Sequence, residues 1–164
     1  MARVRPNQPL VPSVLDRLLD DAPDTTRESP ASRHQVLREL KQSVRRDLEN
    51  LLNTRIRCLE VPVNCKELGQ SLINYGIPDI TGADLGTAQD RESFCRLLQD
   101  IIRQYEPRFT KVSVTPAPAA DAQDRTFRFR IDAMLMAEPA PEPVVFDSEL
   151  QPGTGDFEVK GGIE

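Results

Sequence analysis

The chain has 164 residues, of which 38% are hydrophobic and 29% are charged, and this predicts one soluble globular domain that carries polar segments. No run of about 18 apolar residues is present, so we expect no membrane-spanning helix, and the start lacks the apolar stretch of a secretory signal. Three cysteines without Cys-x-x-Cys spacing, far from the single histidine, predict free thiols and no metal site. We also expect no cofactor, because no glycine-rich strand-to-helix motif is present.

The net charge of −5 is concentrated at the C-terminal end of the chain. Residues 132–164 contain eight acidic side chains and one lysine, a balance of −7, which leaves about +2 for the remainder. An acidic end disfavours binding to nucleic acid or to an anionic membrane surface. A basic protein partner and a merely solvated acidic edge both fit this pattern.

The first 31 residues are predicted to form a flexible arm. Within this arm, residues 12–21 place Leu15, Leu18 and Leu19 at helical spacing, which predicts a short amphipathic helix followed by turn-rich sequence. Two interpretations are open for its apolar face. The helix packs back on the core, or it docks into the groove of a partner protein and the three leucines are contact residues.

Three helices are predicted in the next part of the chain. The first covers residues 32–53, opens on a capping box and carries apolar residues every three or four positions. The second is shorter and covers residues 64–75; Gly76 suits the left-handed position that follows a helix. The third covers residues from about 87 to 105.

After Pro107 the period of the apolar residues changes from 3.6 to 2, which predicts strands. Arg128 and Arg130 alternate with apolar residues and therefore lie on the opposite face of their strand. We expect four strands, over residues 109–115, 127–137, 144–150 and 157–159.

Helices followed by strands predict an α+β fold. We expect a single domain over residues 32–164, with about three helices packed on one side of a small antiparallel sheet formed mainly by the C-terminal half. The other side of the sheet carries Arg128 and Arg130, and it faces either solvent or a partner protein.

The sequence Glu106-Pro107-Arg108 stands where the last helix meets the first strand. Pro107 disfavours the helical conformation of Glu106, so the helix must end there. The Glu106 carboxylate then lies at the negative end of the helix dipole and requires a nearby cation. Arg108 faces the same side of an extended segment. Either the pair fixes the turn locally, contributing at most about 1 kcal/mol if exposed, or a partner protein shares it through bidentate contacts of the arginine.

These residues also carry a resemblance to a known family. The matching segments, in order, are PSVLDRLLDD, VRRDLENLLNTR, SLINYGIPDITG and YEPRF. With them the chain resembles the TssE family of type VI secretion baseplate subunits, part of the wider family of contractile-tail baseplate wedge proteins that carry a "lysozyme-like" label. The resemblance spans roughly residues 12–160, and Glu106, Pro107 and Arg108 match the Glu-Pro-Arg signature of the family.

The resemblance implies a structural subunit and not an enzyme. It implies a baseplate wedge formed with TssF and TssG, together with TssK, and sheet edges on which the first ring of the TssB/TssC sheath assembles. It also implies a cytoplasmic location, in a baseplate docked at the inner face of the cytoplasmic membrane without insertion. Glu106, Pro107 and Arg108 are then expected at a wedge contact.

The alternative function is that of a peptidoglycan hydrolase. A glycosidase needs two carboxyl groups about 5–9.5 Å apart, one of them protonated. The chain has no tryptophan and two tyrosines for stacking on sugars, and Arg108 favours the ionised form of Glu106. One histidine leaves little for a serine or cysteine triad. We therefore expect no enzymatic activity.

Overall fold

The computed structural model describes residues 15, 18, 24, 33–57, 67–68, 71–80, 85–118, 126–137, 140–151 and 154–161. The elements whose bounds lie in these ranges are α1 (Arg33–Asn53), a 3-10 helix (Leu72–Asn74), α2 (Ala88–Tyr105), β1 (Phe109–Pro116), β2 (Phe127–Leu135), β3 (Glu142–Leu150) and β4 (Phe157–Gly161). The predicted α+β class and the antiparallel sheet are confirmed.

The two α-helices follow from the spacing of their apolar residues. In α1 the residues buried at this spacing include Val44, Leu48 and Leu52, whereas the opposite face is charged. Helix α2 is capped by Thr87, whose side chain accepts a hydrogen bond from the backbone N–H of Asp90. The bounds confirm the predicted first and third helices, although the capping residue expected for α1 lies outside the described residues.

The sheet has the strand order β1-β2-β3-β4, and every neighbouring pair is antiparallel. All four predicted strands are present, each within two residues of its expected bounds. Buried and exposed residues alternate along β2 and β3, so that each strand presents one apolar face. The register places Ile131 opposite Phe146 and Phe129 opposite Ser148.

One cluster of buried residues contains apolar side chains from both α-helices and all four strands. Helix α1 packs on β4 and α2 packs on β1, so the helices cover the apolar face and leave the charged face of the sheet outward. In the part of the chain that the structure describes, no helix combines the length and the hydropathy that crossing a membrane requires.

The prediction of about three helices is wrong for the described residues, which form two α-helices with defined bounds. Where a second helix was expected, the chain forms the 3-10 helix, capped by the side chain of Ser71. Leu72 and Ile73 are 82% and 44% exposed. A helix this short is unstable unless its apolar face packs on the core, and these two residues do not pack there. Residues 58–66, which include the expected helix start, lie outside the described residues.

Gly76 takes up a positive φ of +118° directly after the 3-10 helix, as the sequence predicted. Its backbone passes so close to Thr54 that a Cβ atom would overlap the Thr54 carbonyl oxygen. This approach lets Ile77 form a parallel bridge with Arg55, with Ile77 N–H donating to Thr54 O at 2.8 Å. Gly76 therefore joins the end of α1 to the segment before α2.

Replacing Gly76 with alanine should destabilise the protein in two ways. The backbone conformation costs about 1–3 kcal/mol, and the overlap with Thr54 costs about 1–3 kcal/mol more. Gly155→Ala is the matched control, because Gly155 also has a positive φ, of +74°, but its nearest neighbour would lie 3.5 Å from the Cβ atom. Urea unfolding should show a larger loss for Gly76→Ala; equal losses would contradict the close approach.

Candidate partner-binding site

The turn between α2 and β1 is closed by backbone hydrogen bonds. Glu106 N–H donates to Ile102 O at 2.8 Å and ends the helix, and Phe109 N–H donates to Glu106 O at 3.3 Å. The next residue, Pro107, prevents the helix from continuing. Glu106 is only 5% exposed, so its carboxylate is held inside the protein and requires a partner.

Arg108 provides that partner. Its Nε donates to Glu106 Oε1 at 2.6 Å, its Nη2 donates to Glu106 Oε2, and its backbone N–H donates to Oε1 at 3.1 Å. The two side chains thus form a bidentate pair, the geometry in which arginine binds carboxylates most strongly. The structure therefore contains the local ion pair that was one of the two interpretations of Glu106-Pro107-Arg108.

The same guanidinium group reaches across to α1. Nη2 donates to Asp47 Oδ2 at 2.6 Å, and Nη1 donates to Ser43 Oγ at 3.3 Å. We call Ser43, Asp47, Glu106 and Arg108 the Arg108 cluster. It connects the end of α2 and the start of β1 to the middle of α1.

The carboxylates of the Arg108 cluster stabilise the charged form of Arg108. Burial lowers the pKa of Arg108, but the hydrogen bonds and charges of Glu106, and then of Asp47, outweigh burial and raise that pKa above its ordinary value. Burial also raises the pKa of the nearby Tyr75 hydroxyl, and the carboxylates of Asp47 and Glu106 raise it further. The tyrosine therefore keeps its proton at neutral pH, while the arginine keeps its charge.

A cleft of about 320 Å³ opens beside the Arg108 cluster. Arg108 borders it with a side chain that is 23% exposed, so this cation remains partly accessible. The cleft is lined by apolar, aromatic and charged side chains: Asp47, Leu48, Leu51, Tyr75, Tyr105, Glu106, Pro107 and Arg108.

Two tyrosines form one wall of the cleft. The rings of Tyr75 and Tyr105 meet edge to face with centroids 5.3 Å apart, and Tyr105 Oη donates to Asn74 O at 2.7 Å. The 3-10 helix is thereby held to the end of α2. Leu72 and Ile73, on this helix, remain exposed. Tyrosine, arginine and apolar side chains around a concave surface are typical of the energetic centre of protein interfaces.

The other predicted contact residues lie elsewhere. Arg128 and Arg130 point to the outer face of the sheet, where Arg128 pairs with Glu149 at 3.5 Å and Arg130 with Asp147 at 2.9 Å. The structure thus separates these arginines from the Arg108 cluster, and both take part in ion pairs between strands. A partner role for them stays a prediction.

The arm predicted for the first 31 residues lies outside the described residues except at three positions. Two of these positions, Leu15 and Leu18, are helical and are 53% and 76% exposed. Leu19 is not among the described residues. The exposure of the two leucines agrees with an apolar face that is available to a partner protein, but their role as contacts stays a prediction.

Two carboxylates of the Arg108 cluster share one cation. Asp47 and Glu106 both direct carboxylate oxygens to the same guanidinium group. Among the residues that the structure describes, no group of three or more histidine, cysteine, aspartate or glutamate side chains is placed to hold a metal ion. What the arrangement provides is a fixed concave surface with a partly exposed cation.

Sequence reasoning missed Ser43 and Asp47, and also the two tyrosines of the cleft. Ser43 and Asp47 stand four residues apart on α1, directly before the buried Val44 and Leu48. Two polar residues at the border of an apolar face share one side of a helix, and that spacing was the available signal. It could not reveal the partner, because Arg108 is 61 positions away from Asp47 in the chain.

A family model described as "Baseplate wedge protein gp25" matches residues 38–140. The matched region is more than half of the chain and contains the Arg108 cluster. The match defines the class of protein, which is a structural component of a baseplate. The chain belongs to the baseplate wedge protein gp25 family, and the wider family expected from the sequence is confirmed.

One solved structure with a similar chain is described as "The baseplate complex from the type VI secretion system". The similarity has a TM-score of 0.49 and 22% sequence identity, and it covers 69% of this chain and 95% of the other. Among curated proteins, none matches the chain.

Removing the Arg108 side chain should destabilise the isolated protein. Arg108→Ala would leave the buried Glu106 carboxylate without its cation, and we expect a loss of about 3–5 kcal/mol in the free energy of unfolding. Arg96→Ala is the control: Arg96 forms an ion pair with Glu92 at 3.2 Å in which both side chains are more than half exposed, and its loss should cost under about 1 kcal/mol. If urea unfolding showed an equally small loss of stability for both variants, Arg108 would not hold this turn.

Proposed function

We propose that this protein is a structural wedge subunit of a type VI secretion baseplate, and that it binds its neighbours through the cleft beside the Arg108 cluster. The single observation that carries the proposal is the geometry of the Glu-Pro-Arg signature. Arg108 fixes three elements around a concave surface that has two tyrosines on one side. Such a surface is rigid before binding, which reduces the entropy lost when a partner docks.

The partners we propose are TssF and TssG, in a wedge that also contains TssK. The support is the ordered resemblance to the TssE family, with Glu106, Pro107 and Arg108 at its signature positions. The exposed Leu15 and Leu18 add a second contact, in which the amphipathic helix of the arm enters a groove of one of these partners. In this proposal residues 1–31 are an arm and residues 32–164 are one wedge domain.

We further propose that the assembled wedge initiates the TssB/TssC sheath. The two central strands of the sheet pair in a regular antiparallel register, and main-chain hydrogen bonds would give strand addition its affinity once an edge of the sheet is released. Arg128 and Arg130 on its outer face are the side chains we assign to this contact. The working location is the cytoplasm, at a baseplate docked on the inner face of the cytoplasmic membrane.

The proposal also holds that the protein is not a peptidoglycan hydrolase. Glu106 and Asp47 both bind the Arg108 guanidinium, whereas a glycosidase acid must carry a proton at its working pH. Purified protein should therefore leave peptidoglycan intact between about pH 4 and 8, the range in which carboxyl-based glycosidases titrate their acid and base. Clearing of peptidoglycan by the protein alone would contradict this part of the proposal.

The cleft is tested by placing a charge at its mouth without replacing a member of the Arg108 cluster. Pro107 lines the cleft and is exposed, so Pro107→Glu should block a docking partner while the fold is kept. Pro143→Glu is the matched control, because Pro143 is also exposed and lies on β3. We expect TssF and TssG to co-purify with the wild type and the control, and at least about ten-fold less with Pro107→Glu, which corresponds to about 1.4 kcal/mol of binding energy.

The outcomes of this experiment distinguish a wrong function from a wrong contact site. If the wild type brings down no baseplate subunit, the proposed function is wrong. If Pro107→Glu brings down as much as the wild type, the function stands and the cleft is not the contact. Thermal unfolding of both variants must first show that each is folded.

A further inference from the structure

The outer edge of β4 is occupied by side chains of α1. Asn53 Nδ2 donates to Phe157 O at 2.9 Å, and Phe157 N–H donates to Asn53 Oδ1 at 2.8 Å. Arg45 Nη1 donates to Val159 O at 3.1 Å. The Asn53 amide thus makes the same two hydrogen bonds that a directly opposed residue makes in an antiparallel ladder.

These contacts show which backbone groups an added strand would use. Phe157 turns both its N–H and its C=O away from β3 and toward Asn53. Because backbone groups alternate along a strand, Val159 turns its N–H and C=O to the same side. Phe157 and Val159 therefore form the outer edge of β4, and side chains of α1 bind both.

The opposite edge of the sheet is protected in a different way. Arg103 on α2 donates to Val112 O at 2.9 Å, and Gln99 accepts from Val114 N–H at 3.2 Å. Strand β1 also has an irregular register near Phe109 and ends at Pro116, which has no N–H to donate. Bulges and prolines are common protections of edge strands.

Strand β4 has neither of these protections. Its pairing with β3 runs without a register shift from Phe157 to Gly161, and the strand contains no proline. An unprotected edge with unpaired backbone groups is a template for another strand. Among the residues that the structure describes, the side chains of α1 bind the backbone groups of this edge.

The sequence of β4 is complementary to itself. An antiparallel pair of two copies centred on Val159 would place Glu158 of one copy opposite Lys160 of the other, twice, on the outer face of the sheet. Such a contact uses the same patch on both copies and closes with two-fold symmetry.

We propose that Asn53 and Arg45 guard the β4 edge, and that the strand they exclude is β4 of a second copy of this chain. Their side chains hold the backbone groups that the second strand would bind. The free subunit thereby keeps its sheet from pairing with itself, and the edge becomes available only when these two side chains release it. The inference concerns the isolated protein and does not depend on the identity of its baseplate partners.

The first test removes the two side chains that cover the β4 edge; we call the resulting double variant the opened variant. The double variant Arg45→Ala/Asn53→Ala should pass from one copy to two in size-exclusion chromatography with light scattering, while the wild type remains one copy. Arg38→Ala/Asn50→Ala is the matched control, because it removes the same residue types from exposed positions of the same helix, and it should remain one copy. An opened variant that stays one copy while folded would overturn the proposal.

The second test establishes that any pairing is through β4. In the opened variant, Glu158→Lys would place lysine opposite Lys160 of the other copy, and the protein should return to one copy. Adding Lys160→Glu restores opposite charges between copies and should restore the dimer; Glu149, which faces residue 158 on β3, then lies opposite a lysine. Self-association that ignores these charge changes would be nonspecific and would overturn the proposal.

Discussion

The guanidinium group of Arg108 is the point at which three elements of this protein meet. It binds the carboxylate at the end of α2 and reaches Asp47 and Ser43 on α1, and the backbone of Arg108 continues directly into β1. Because removing charged groups from water costs free energy, a buried ion pair stabilises the fold little compared with apolar packing. Removing one partner of the pair nevertheless destabilises the fold strongly, since the other charge is left buried and unpaired. Its main effect is therefore geometric. Lysine could not replace it, because a single ammonium group lacks the planar fork that binds two carboxylates at once.

The remainder of the fold can be understood from how the helices cover the sheet. They bury its apolar face, and their ends also supply polar side chains to both of its edge strands. The outer face is left with ion pairs that cross the strands, in which Glu149 accepts from Lys160 at 2.7 Å and approaches Arg128 at 3.5 Å. A wedge subunit must present surfaces to neighbours without assembling with itself, and among the described residues the cleft is a surface that is concave, partly apolar and open.

Local patterns predicted most of the fold, because helix and strand periods are properties of neighbouring residues. The strands of the C-terminal half and the two α-helices were found in this way, as was the positive φ of Gly76. The α-helix predicted for the segment before Tyr75 was wrong. The apolar residues of this segment have helical spacing, but Leu72 remains exposed, and burial depends on the tertiary structure. The pair of Glu106 and Arg108 was predictable from adjacency. Asp47 was not, because nothing in its surroundings on α1 indicates a partner on a distant turn.

The most direct test of the account is to replace Pro107 with a photo-crosslinking amino acid in cells that assemble the baseplate, and to identify the products by mass spectrometry. The same replacement at Pro143, on the outer face of β3, measures crosslinking away from the cleft. The account predicts that position 107 captures another baseplate subunit and that position 143 does not capture the same one at the same yield. If position 107 captures none in cells where assembled baseplates are present, the cleft beside Arg108 is not the wedge contact and the central claim is contradicted.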